Sequence, residues 1–217
     1  MDGAKLQLKV YKGYGQSAKR VGLPFDVYRS ASMINPLDPT NKLATIPASF
    51  TTGMQYATFN KPGSPLWTAL IDATTLLPGD WLVNGSQTFF IAEKQHLLPV
   101  AAVGCSCVVD IARAGYTTVG GGFGTGESLI AQALPVFMFA KKDKSAKPAY
   151  LGIATDSVVS LPEWEFYVNA RTANDLRARD IIIGDQLDGQ GQRCRYEIET
   201  LTLTSFGYIL SAKLEKP

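Results

Sequence analysis

The side chains that carry most acid–base and metal chemistry are few in this chain, and their spacing is poor. His96 is the only histidine, so no metal site can draw on two imidazoles and no second imidazole can relay a proton. A Ser-His-Asp triad would have to use it, and no Gly-x-Ser-x-Gly elbow accompanies it. A hydrogen-bonded loop residue is the simpler role. Cys105, Cys107 and Cys194 are the only cysteines. On a strand, Cys105 and Cys107 share one face. With His96 and Cys194 they offer only a weak zinc set, because two close thiols and two distant ligands lack the usual finger spacing. Small buried hydrophobes fit these cysteines better. From Gly121 the chain spells G-x-x-x-x-G-Glu127-Ser128, one residue from a phosphate-binding loop. Glu127 stands where a lysine would meet the phosphates, and a carboxylate there repels them. A glycine-rich linker is the expected role. Asp80 and Asp180 each open an apolar strand. Duplicated acids in that setting hold backbone N–H groups of turns rather than act as paired catalysts. No enzyme, cofactor or metal is expected.

The elements that would position these residues follow from composition and pattern. The chain has 217 residues, 46% hydrophobic and 18% charged, with a mean hydropathy of +0.02. It can bury a core and is too apolar to be a disordered tail. An odd cysteine count points to a reducing compartment during folding. No run of 18 apolar residues and no apolar signal region are present, so synthesis in a cytoplasm and no membrane contact are expected. Net charge is +2 overall, yet Lys5, Lys9, Lys12, Lys19 and Arg20 face only Asp2 within the first 22 residues. That basic start suits an acidic partner surface or nucleic acid, and equally a solvated terminus.

The strict alternation of residues 5–10 predicts a strand or extended arm, and 11–20 a short helix weakened by Gly13 and Gly15. A proline-rich irregular stretch follows over 22–65. From there the same cues come twice: Ile46-Pro47 and Leu134-Pro135, Trp67 and Trp164, Asp80 and Asp180, Phe89-Phe90-Ile91 and Tyr196-Glu197-Ile198. The separations are 88 residues at the proline, 97 at the tryptophan and 100 at the aspartate, a drift that places insertions in loops. In 193–199, Cys194, Tyr196 and Ile198 alternate with Arg193, Arg195, Glu197 and Glu199, a strand with one buried and one wet face. The expected fold is mostly β: two similar small β-barrel or sandwich units in tandem, with an extended N-terminal arm and one short helix. The arm with its helix is 1–42, the first unit 43–115, the glycine-rich linker 116–130 and the second unit 131–217. A second helix over 126–133 is a weaker expectation.

The quoted stretches Tyr11-Lys12-Gly13-Tyr14-Gly15, Gly22-Leu23-Pro24-Phe25-Asp26-Val27-Tyr28-Arg29, Asn35-Pro36-Leu37, Pro78-Gly79-Asp80-Trp81-Leu82-Val83, Thr88-Phe89-Phe90-Ile91-Ala92 and Leu97-Leu98-Pro99 resemble a family encoded among virion-structure genes of tailed phages and prophages of proteobacteria. The resemblance covers much of residues 10–110 and is looser beyond. It implies a virion component of the neck or tail, assembling with itself and with portal, adaptor or tail-tube proteins. The repeated strand pattern also looks like small head-closure barrels. On this reading Lys5, Lys9, Tyr11, Lys12, Tyr14, Phe25, Tyr28 and Arg29 form the inter-subunit surface, with aromatics and arginine as anchors. A fibre-attachment or receptor-binding tail protein is the first alternative, using Trp67, Trp81 or Trp164 on host glycan. A nucleic-acid-binding module is the second, and DNA stands as a further partner.

Overall fold

The structure, a computed structural model, describes residues 2–52, 64–119, 122–141, 163–171, 173 and 175–215, with backbone alone for 116–119 and 122–125. Gly3–Val21 (α1) is a single helix of 19 residues. It takes in the 5–10 run that alternation assigns to a strand. Leu6, Leu8 and Val10 do alternate, but the helical period puts Tyr11, Gly15 and Ala18 on one stripe, and these three are buried. Asp2 caps the start, accepting from the Ala4 N–H at 3.2 Å. Lys19 and Arg20 sit in the last turn, where cations suit the helix dipole. A Cβ on Gly15 would stand 2.7 Å from Asp72 Cβ, so glycine is what lets the helix lie this close. Lys94 Nζ rests 5.0 Å over the Tyr11 ring and donates to the carbonyls of Ala73 and Leu76. Burial there lowers its pKa. The expected arm is therefore a helix docked on its own barrel.

Twelve strands follow among the described residues. Leu23–Tyr28 (β1), Lys42–Thr51 (β2), Leu66–Ile71 (β3), Trp81–Asn84 (β4), Gln87–Glu93 (β5) and Val100–Cys105 (β6) close into one barrel, ordered β1-β2-β3-β6-β5-β4. Cys107–Val119 (β7), Gly122–Lys141 (β8), Glu163–Val168 (β9), Ile181–Leu187 (β10), Arg193–Thr204 (β11) and Gly207–Leu214 (β12) close into a second, ordered β10-β11-β12-β9-β8-β7. Read from the first strand of each, the two orders are the same. The registers agree as well. Trp67 pairs with Ala102 and Trp164 with Ala212; Pro47 pairs with Pro24 and Pro135 with Val108; Leu82 pairs with Val27 and Ile182 with Ile111. The duplicated cues occupy equivalent places.

Three expected boundaries move. The first barrel starts at Leu23, inside the stretch read as arm, because Pro24 lies outside the ladder with β4, which spans only Asp26–Tyr28. A proline costs a strand little at such a position. The second barrel starts at Cys107 rather than 131. The region 116–130 is not a linker, and 126–133 is not a helix: the described residues there are strand, paired across β7 and β8. Gly120 and Gly121 lie outside the described residues.

The barrels share a core. Leu82, Phe89, Ile91 and Ala102 fill the first barrel, while Trp81, Phe90 and Val103 point outward from β4, β5 and β6 into the apolar cluster of the second. This accounts for a difference between the copies. Phe89-Phe90-Ile91-Ala92 is apolar on both faces because both are buried. Its counterpart Tyr196-Glu197-Ile198-Glu199 keeps charge on the face that meets water. Polar ties run alongside. Asn35 donates its N–H to the Gln132 carbonyl at 2.8 Å, the Gln132 N–H reaches the Met33 carbonyl at 3.2 Å, and Asn169 Nδ2 donates to the Gly79 carbonyl at 2.7 Å. Gly79 has φ +88, and a Cβ there would stand 2.6 Å from Arg171 Cβ.

Candidate functional site

The two aspartates build one network twice. Asp80 is fully buried; its carboxylate accepts from Arg29 Nε at 2.7 Å and Nη2 at 2.6 Å, and from the Leu77 N–H at 2.7 Å. Asp180, also buried, accepts from Arg113 Nε at 2.7 Å and Nη2 at 2.9 Å, and from the Arg177 N–H at 2.7 Å. Each arginine reaches one further carbonyl, Thr75 for Arg29 and Asp175 for Arg113. Hydrogen bonding to the aspartates raises the pKa of both guanidiniums. Arg29 follows β1 directly and Arg113 takes the same place on β7, so the duplication extends to the partner that sequence cues did not match. Asp80 Oδ1 also accepts from Arg171 Nη1 at 3.4 Å, and the donors given for both carboxylates belong to the fold itself. These carboxylates tie a turn to a strand, as the turn reading anticipates.

The cysteines are free and partly buried. Burial pushes the Cys105 thiol well up, and burial together with nearby Asp185 pushes Cys107 up to about 11. Because the folded value for Cys107 lies above the unfolded value of 9.0, its contribution to stability is intact below pH 9 and is lost as pH rises through about 11. Urea midpoints measured between pH 8 and 11 should fall more steeply for the native chain than for Cys107→Ala; parallel curves would contradict this. Among the described residues, no group of three or more His, Cys, Asp or Glu is placed to hold a metal ion, and no helix is long and apolar enough to cross a membrane.

The expected inter-subunit residues divide. Tyr11 and Phe25 are buried inside the first barrel's core, Tyr28 packs against the shared cluster, and Arg29 is held by Asp80. These four face inward because the segment carrying them is helix and strand rather than arm. Lys5, Lys9 and Lys12 are exposed and Tyr14 is half-buried, all on α1. Trp81 is fully buried, and Trp67 and Trp164 are half-buried against core clusters, which leaves Trp81 no surface to offer a glycan.

The feature that sequence reading did not anticipate is a ribbon. β10 pairs with β7 only at Asp110, Ile111 and Ala112, and β9 pairs with β8 only from Phe137 onward. Beyond Ala112↔Leu129, seven further pairs run from Arg113↔Ser128 to Val119↔Gly122, about 23 Å of two-stranded ribbon at 3.3 Å per residue. Among the described residues no other strand pairs with either edge. Register shifts on either side of Ile111 mark bulges where the ribbon leaves the barrel. Its base is fixed by Arg113 on Asp180 and by Glu127 on Arg195 at 2.5 Å. Glu127, placed at the lysine position of a phosphate loop, is thus a strut. It and Glu215 raise the Arg195 pKa by hydrogen bonding. From Ala114 to Gly126 the chain has no charged residue and no proline. Among the described residues the equivalent β1–β2 pair has no such extension, since β1 ends at Tyr28, opposite Lys42. The glycine cluster was the available signal, and flanking runs rich in Thr, Tyr, Val and Phe distinguish a ribbon from a linker.

No family model matches the chain, and neither a curated protein nor a solved structure matches it.

Proposed function

We propose that this chain is a non-enzymatic structural protein of a tailed phage or prophage virion, working at the neck or tail as an oligomer on the head-to-tail machinery. The observation that carries the reading is the ribbon made by Arg113–Val119 and Gly122–Ser128, in a stretch uncharged from Ala114 to Gly126, whose two edges meet no other strand among the described residues while both barrels are closed. Exposed strand edges invite pairing with another chain, and proteins that stay monomeric blunt them with charge or proline. From Ala114 to Gly126 neither is present.

The two edges of the ribbon differ, one belonging to β7 and one to β8. Pairing the β7 edge of one copy with the β8 edge of the next is a head-to-tail contact, which closes into a ring when the rotation allows. A ring of ribbons has no free edge left. That geometry suits a connector, and it agrees with the resemblance to virion-structure proteins. Synthesis in the host cytoplasm and incorporation into the virion complete the reading, with portal, adaptor or tail-tube proteins as neighbours.

Native mass spectrometry of the full chain, alone and mixed with portal or tail proteins, tests it. A defined ring, or a monomer that multimerises only on a virion complex, is the expected result. A compact trimer would favour fibre attachment, and a monomer indifferent to every virion component would overturn the proposal.

A further inference from the structure

We infer that the outer face of α1 binds the backbone of duplex DNA. The helix has 3.6 residues per turn, so successive residues are about 100° apart; Lys5, Lys9, Lys12, Lys19 and Arg20, with Gln16 between them, fall within an arc of about 100°. The opposite face, Tyr11, Gly15 and Ala18, is buried against the first barrel, so the basic stripe is held outward by the docking already described. Lys5 to Lys19 spans about 21 Å at 1.5 Å per residue. All five cations are exposed. None forms an ion pair among the described residues, whereas Lys42, Lys141 and Lys213 all do. Asp72 is the one carboxylate in the cleft beside Lys12 and Lys19, and it is occupied by the Thr74 N–H and hydroxyl.

The chemistry of the stripe selects its partner. A membrane-surface helix needs an apolar face free to enter lipid, and here that face is spent on the barrel; exposed Leu8 beside the stripe is a single side chain. A protein interface would be expected to place aromatic or arginine anchors at its centre, and the centre of this stripe is lysine and glutamine. Single-stranded nucleic acid calls for stacking aromatics, and the stripe has none. A line of mobile point charges with no geometric demand is what phosphate contacts require, and it reads charge rather than sequence.

The test uses fluorescence anisotropy of the full chain with a labelled 30-bp duplex of arbitrary sequence. Four phosphate contacts predict that affinity falls about 100-fold between 50 and 200 mM salt. A variant with Lys5, Lys9, Lys12 and Lys19 all changed to Gln, glutamine being a good helix former, should bind more than about 10-fold more weakly at 50 mM with a flatter salt dependence. A second variant, Lys5→Glu with Lys9→Glu, keeps good helix formers at both positions, the first of them in the opening turn where an acid favours the helix, and should also lose binding. Unaltered circular dichroism and native mass in both variants separate loss of the DNA surface from loss of fold or assembly. Equal affinity of wild type and variants overturns the inference. So does tighter binding of phosphatidylserine vesicles than of duplex.

Discussion

Asp80→Ala is expected to lower the stability of the chain by about 3 kcal/mol, and Asp180→Ala by a similar amount, because each removes the partner of a buried ion pair and strands its donors. Both carboxylates are almost wholly shielded from water, whereas the paired guanidiniums keep about a quarter of their side-chain surface exposed. The cost therefore comes less from the arginines, which can rehydrate in part, than from the Leu77 and Arg177 N–H groups, which lose their acceptors. Asp80→Asn keeps one acceptor oxygen and should fall between wild type and alanine. Asp80→Ala combined with Arg29→Met should recover only a small part of the loss, since it removes the unpaired Arg29 guanidinium but leaves the Leu77 N–H and Arg171 without their acceptor. Urea unfolding followed by tryptophan fluorescence checks all four, with Trp81 directly after Asp80 as reporter. Shifts below about 1 kcal/mol for both alanine variants would show that the clamps are incidental to stability.

Those clamps also mark what was readable in the sequence. The aspartate, tryptophan and proline offsets all land on equivalent pairing positions, because strand registers tie each cue to a ladder partner and an insertion in a loop leaves the ladder unchanged. The pairing of Arg29 and Arg113 with these aspartates is not legible, because Arg29, expected as a subunit anchor, follows a six-residue strand containing a proline while Arg113 lies mid-way along a strand of 13 residues. Residues 5–10 of α1 read as a strand because Leu6, Leu8 and Val10 satisfy a period of two, while the helical stripe relies on Gly15 and Ala18, which carry little hydrophobic signal. The shared core was legible only as an anomaly: a doubly apolar β5 where its counterpart β11 alternates. By composition the glycine cluster reads as a linker, and only the backbone ladder shows that Gly122, Gly124 and Gly126 are paired.

Excising the ribbon should abolish self-assembly while leaving the barrels intact. Ala114 and Glu127 face each other in the β7–β8 ladder, so an Asn-Gly turn in place of residues 115–126 closes the hairpin with the two-residue connection that strand twist prefers. The ladder from Cys107↔Val136 to Ala114↔Glu127, the Arg113–Asp180 clamp and the Glu127–Arg195 strut are all retained. The excised chain should therefore unfold at the same urea concentration as wild type and run as a monomer under conditions where wild type is expected to assemble. Thr117→Lys combined with Thr125→Lys, which adds charge to both strands without shortening them, should weaken assembly in the same direction, as charge blunts an edge. Because α1 is untouched, DNA binding per chain should persist in the excised protein, weakened only by the loss of multivalency. An excised chain that still assembles to the wild-type mass would place the subunit contact elsewhere and remove the main support for the connector reading, while the outcome on DNA would still decide the role of the helix on its own.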